Sequence, residues 1–246
     1  GVAVSPDGRT VYVTNFADDS ISVIDTTDNS VSTISSVGNG PYGIAVAPSG
    51  DYLYVSLYNE DRLRVIRTSD NALIANPSVG DKPYGVAVSP DGSTVYVANI
   101  DSSSVSVVST SSNTRTDTIS TSSSPHGLAV SPDGSKLYIT MRVANGRVSV
   151  VNTSTENEEA NIAVGSNPTQ IALAPDGAKA YVTNYGDDSV SVITTSDNSV
   201  STVTGVGSGP FGVAVSPDGA TAYIAARNAD RVVTLSTSSG AVTGQI

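Results

Sequence analysis

Five side chains return at one point of a repeating pattern and are the best placed to do chemistry: Tyr42, Tyr84, His126, Thr169 and Phe211, each directly after a proline. The same spacing sets Asn15, Asn99, Asn184, Arg142 and Arg227 around them. Aromatic faces with a few amides and guanidinium groups suit ligand binding, because rings supply contact area and the polar groups orient what is bound. The same rings could instead wedge between neighbouring repeats as packing, and sequence alone leaves both readings open. His126 is the only histidine. As a general base it would need a partner and a nucleophile or water within hydrogen-bond reach. Its equivalents include Tyr and Phe, so it occupies an aromatic slot, and no catalytic residue is assigned.

The acidic pairs Asp18-Asp19, Glu60-Asp61 and Asp187-Asp188 could offer oxygens to calcium. Their spacing matches neither an EF-hand nor a nonapeptide loop. They fall in separate repeats, so the expected reading is solvated carboxylates that cap turns, with no metal and no cofactor. The chain has no cysteine, which excludes disulfides, thiolate nucleophiles, zinc–sulfur sites and iron–sulfur clusters. Its formal net charge is -11 with 12 Lys and Arg, a balance that argues against nucleic acid or an anionic membrane as partner. No run approaches the roughly 18 apolar residues of a membrane-spanning helix, so direct membrane insertion is not expected. An acidic surface rich in Ser and Thr suits a protein outside the cell, though a halophilic cytosol would also produce acidity.

The elements that must position these residues are repeats. The turn prolines Pro6, Pro48, Pro90, Pro132, Pro175 and Pro217 stand 42, 42, 42, 43 and 42 residues apart. A tyrosine lies six residues after each: Tyr12, Tyr54, Tyr96, Tyr138, Tyr181 and Tyr223. Residues 181–219 match 12–50 at 26 of 39 positions, which points to amplification within the chain. One repeat reads as four strands: Gly1-Val2-Ala3-Val4, then the turn Ser5-Pro6-Asp7-Gly8, Thr10–Thr14, Ile21–Ile24 and a weaker stretch from Val31 to Val37. Four strands joined by tight turns in about 42 residues make one propeller blade. The expected fold is an all-β β-propeller of six four-stranded antiparallel blades, approximately 1–42, 43–84, 85–126, 127–169, 170–211 and 212–246, in a single domain 1–246. The repeated tyrosines, with Val11, Val13 and Val23, should pack blade against blade. The extra residue in the loop Arg142–Arg147 accounts for the one interval of 43. The asparagine that follows each Tyr-Val-Thr or Tyr-Val-Ala should bond loop backbone.

Tyr12-Val13-Thr14-Asn15, Tyr96-Val97-Ala98-Asn99 and Tyr181-Val182-Thr183-Asn184, with their Ser-Pro-Asp-Gly turns, resemble the YVTN family of β-propeller repeats found in archaeal and bacterial surface-layer and cell-surface proteins. The resemblance covers the whole chain and implies the propeller fold. Members of that family commonly have seven blades, whereas six are read here. Gly1 falls in mid-repeat without a methionine, so a processed or excised piece is expected, with the ring closing by contact between blades six and one; the alternative is that a seventh blade or further repeats were cut away. The function expected from all this is a non-catalytic extracellular module, a binding or structural scaffold of a surface layer, with protein, glycan or its own copies as partners. The alternative is an enzyme of the propeller lyase or lactonase type with its substrate at the axial mouth.

Overall fold

The computed structural model describes residues 1–246. Six four-stranded antiparallel sheets form, each in sequential order, and the only helical element is the 3-10 turn Arg227–Ala229. The fold is a β-propeller of six blades, as the repeat count predicts, with sheets spanning residues 2–34, 41–75, 83–120, 125–163, 168–203 and 210–245. The contacts divide the chain into two compact units of three blades, Gly1–Ser124 and Pro125–Ile246.

The first blade shows why these residues make these strands. β1 (Val2–Val4), β2 (Thr10–Asn15), β3 (Ser20–Asp25) and β4 (Val31–Ile34) pair in order, with Tyr12 opposite Val23 and Val13 opposite Ser22. Side chains alternate between faces, so Tyr12 and Val13 point opposite ways. The turn between β1 and β2 is held by its own side chains. Ser5 Oγ donates to Asp7 Oδ1 at 2.6 Å, the backbone N–H of Arg9 donates to the same oxygen, and Gly8 takes the positive φ (73°) the turn requires. The opposite turn is tied back by Thr26, whose hydroxyl donates to the Gly8 carbonyl at 2.8 Å. The same staple recurs from Thr68, Thr110, Thr153, Thr195 and Thr237 in the other five blades.

Within the first unit, Tyr12 packs with Ile21 and Ile34 against Ile44, Leu53, Val55 and Ile66 of the next blade. Tyr54 does the same with Val95, Val97 and Val108. In the second unit Tyr138 meets Ile171, Ala180, Val182 and Ile193, and Tyr181 meets Ala222, Ile224, Val233 and Leu235. So the tyrosine face of one blade packs on the aliphatic face of its successor. Burial of each ring contributes about 1.5–3 kcal/mol before entropy. A second tie runs deeper: Thr14, Ser56, Thr140 and Thr183 each donate from the second strand of one blade to the carbonyl of Tyr42, Tyr84, Thr169 and Phe211 in the next, at 2.7–2.9 Å. Each such bond is worth about 1 kcal/mol net.

Two expectations need correction. Tyr223, in the last of the six sheets, is 40% exposed while its five equivalents, each in a sheet that another follows along the chain, are at most 6% exposed. Val11 and Val13 are only half-buried, whereas their equivalents Leu53 and Val55 are fully enclosed. These two lie on the face of the first sheet that no preceding blade in the unit covers. Val23, on the other face, does pack against the Tyr12 cluster.

Candidate functional site

The loop leading into each first strand and the loop joining second to third strand meet at one end of a blade. Backbone bonds join them: Tyr58 N–H to Gly40 O in the first unit, Tyr185 N–H to Asn167 O and Arg227 N–H to Gly209 O in the second, at 2.9, 3.2 and 3.0 Å. This pairing sets two rows of side chains together. One row is the set read from the sequence after each proline. The other stands ten residues after each turn proline: Phe16, Tyr58, Ile100, Arg142, Tyr185 and Arg227.

In the first unit, Tyr42 and Tyr84 lie ring over ring with centroids 3.9 Å apart, and their hydroxyls touch. Phe16 meets Tyr42 edge-on at 6.0 Å, Tyr58 meets Tyr84 edge-on at 6.5 Å, and Lys82 Nζ sits 4.7 Å from the Tyr58 centroid. Phe16 is 44% exposed, so the cluster presents a ring to water. Edge-to-face pairs of this kind contribute about 0.5–1.5 kcal/mol each beyond area burial.

In the second unit, His126 is buried, and its Nδ1 lies 3.1 Å from the Thr169 carbonyl. A carbonyl can only accept, so Nδ1 carries the proton and Nε2 is the bare nitrogen. Arg142 Nη1 approaches that nitrogen at 3.5 Å. Burial first, and the Arg142 charge second, drive the His126 pKa down to about 3. The ring is therefore a neutral packing element at neutral pH, in edge contact with Phe211. The Phe211 and Tyr185 rings stand perpendicular at 6.3 Å. Arg142 lies over Tyr185 and Arg227 over Phe211, each with Cζ 5.7 Å from the centroid. Asn228 Nδ2 donates to the Tyr185 hydroxyl at 3.3 Å.

The structure thus brings Tyr42 and Tyr84 together in one unit, and His126, Arg142, Phe211 and Arg227 in the other. It removes several sequence candidates from solvent. Tyr84, His126 and Thr169 are buried, and the Thr169 hydroxyl bonds Thr183 Oγ1 and the Phe211 carbonyl. Asn99 and Asn184 are fully buried. These asparagines do not bond loop backbone as expected. Asn15 Nδ2 donates to Ser20 and Ser22, Asn99 to Ser104 and Ser106, and Asn184 to Ser189 and Ser191, all across the second hairpin. The carboxylates considered for calcium take backbone N–H groups: Asp19 from Gly40, Asp188 from Gly209 and Asp187 from Ser166, at 2.6–2.8 Å, while Asp18 stays exposed in its loop. Phe16, Tyr58, Tyr185, Lys82 and Asn228 were not singled out by sequence. The fixed offset of ten from the turn proline was the signal that could have found the first three. Two clefts are lined by none of the clustered rings or arginines: one of about 350 Å³ beside Pro48, Tyr52, Asp91 and Asn113, the other of about 420 Å³ beside Val164, Asp187 and Thr202.

The family described as lactonase, 7-bladed beta-propeller matches residues 1–73, 43–116 and 109–212. The chain belongs to this family. Its sheets number six against the seven in the family description. Among solved structures, Kuenenia stuttgartiensis hydrazine synthase is similar at 26% identity and a TM-score of 0.90, over 96% of this chain and 75% of that one. No curated protein matches. Since 1679 solved chains match, the likeness identifies architecture and is a poor guide to chemistry.

Proposed function

We propose that this family member is a non-catalytic binding module of the cell exterior, using the loop ends of its blades as the contact surface for a glycan or protein. The observation that carries this reading is the division of labour in the two clusters. Phe16, Arg142 and Arg227 are exposed and Tyr42, Tyr58, Tyr185 and Phe211 half-buried, while the polar groups behind them are tied to backbone or to one another. Phe16, Tyr42 and Tyr58 offer a ring platform of the kind on which sugars stack. The acidic surface and the lack of cysteine are in keeping with an exterior location.

Family membership favours a second reading, hydrolysis of a lactone at the same loops. His126 would be the natural base. At a pKa of about 3 it holds too little proton affinity to work as a base near neutral pH. Two measurements separate the readings. In native gels containing neutral polysaccharide, the chain is expected to be retarded, and Tyr58→Ala to lose the retardation. In a pH-stat with γ- and δ-lactones, no turnover above buffer is expected. Turnover abolished by His126→Gln would overturn the binding reading.

A further inference from the structure

Lysines and arginines are scarce in this chain, and three of the 12 form ion pairs: Arg64 with Glu60, Arg67 with Asp70 and Lys136 with Glu159. Arg142 and Arg227 do not. Each is laid on an aromatic ring, and the two rings touch, so both guanidinia are held around one Tyr185–Phe211 pair. Both are exposed. A guanidinium resting on a ring loses mobility while its in-plane N–H groups stay available. Arg142 directs one of them at His126 Nε2, a neutral acceptor that leaves the positive charge uncompensated. Nearby carboxylates are occupied or turned elsewhere. Asp187 and Asp188 accept backbone N–H groups from Ser166 and Gly209, and Asp230, in the same loop as Arg227, makes no ion pair with it.

Building on the binding reading above, we propose that this cluster of the second unit recognises a carboxylate carried on a ring, the chemistry of a uronic acid residue. The planar fork of a guanidinium matches a carboxylate in bidentate fashion, and two such forks oriented by one aromatic pair favour an anion over a neutral sugar. Tyr185 and Phe211 supply the apolar edges against which the ring carbons rest. The first unit's cluster contains no arginine, and its one cation, Lys82, already sits over Tyr58. Selectivity for charge therefore belongs to the second unit.

The test is titration of the ¹⁵N-labelled whole chain with sodium D-glucuronate, following arginine Nε–H resonances, with sodium acetate, D-glucose and sodium chloride as separate arms. Saturable shifts at Arg142 and Arg227, tighter for glucuronate than for acetate, are expected. Arg142→Gln and Arg227→Gln should each weaken binding by about tenfold or more. Arg227 stands on an exposed turn, so its substitution leaves the fold intact and keeps the experiment decisive. Absence of shifts, equal shifts with sodium chloride, or equal affinity for acetate would overturn the proposal. Glucose bound as tightly as glucuronate would also overturn it while leaving the binding reading standing. Lactone turnover would remove the binding reading itself.

Discussion

At the scale of single residues, His126 shows how environment decides chemistry. The imidazole could titrate near neutrality, but burial and the Arg142 charge depress its pKa to about 3 in the folded chain. In the unfolded chain it returns to about 6.5. Between these values the unfolded state binds the extra proton, so stability falls as pH drops from about 6.5 towards 3. The slope for one proton approaches about 1.4 kcal/mol per pH unit. Further down, Asp133 adds to the loss. Its carboxylate accepts from the Ser131 hydroxyl and from the backbone and hydroxyl of Ser135, which hold its pKa at about 2. A depressed carboxylate contributes stability above its unfolded pKa of about 4 and loses it as pH falls through the folded value. His126→Phe should therefore flatten the urea-midpoint profile between pH 6.5 and 4 while leaving the fall below pH 4. An unchanged slope in that upper window would show that the histidine is solvated.

At the scale of elements, the second hairpin of each blade comes in two kinds. In the first, third and fifth blades an asparagine closes the second strand and its amide bridges two serines of the third. In the second, fourth and sixth blades Leu57, Met141 and Ala226 take its place, paired across the hairpin with Arg62, Arg147 and Arg231. The asparagine and the residue directly opposite it change together: Ser20, Ser104 or Ser189 faces the amide where it is present, and an arginine stands there where it is absent. Packing between blades follows a second rule, the tyrosine face on the aliphatic face. Tyr181→Ala should lower stability by about 3–5 kcal/mol, since the ring is fully enclosed against the next blade. Tyr223→Ala, at a ring 40% exposed, should cost about 1 kcal/mol or less. Chemical denaturation of both variants compares them directly. Equal losses would mean that Tyr223 is covered in solution.

At the scale of the whole chain, the repeats made the architecture legible. The 42-residue interval, the Ser-Pro-Asp-Gly turn and the tyrosine six residues later were enough to place six sheets and their order. The candidate site was half legible. A proline-led position announces Tyr42, Tyr84, His126 and Phe211, but nothing in residue type says that Tyr84 and His126 turn inward while Phe16 and Tyr58 remain partly in water. That outcome depends on which loop lies over which, a packing result of backbone bonds such as Tyr58 to Gly40. Charge is the other whole-chain property. A formal net charge of -11 with three ion pairs leaves most of the negative charge without a paired cation. Their mutual repulsion opposes the compact state more than the expanded one. Salt near 0.15 M shortens the reach of that repulsion to about 8 Å, while the apolar contacts between blades are little changed. The melting temperature should therefore rise by several degrees between about 10 mM and 0.2 M sodium chloride at pH 7, and the rise should shrink at pH 4, where carboxylates begin to protonate. A melting temperature that falls with salt would instead mean that the three ion pairs outweigh the repulsion.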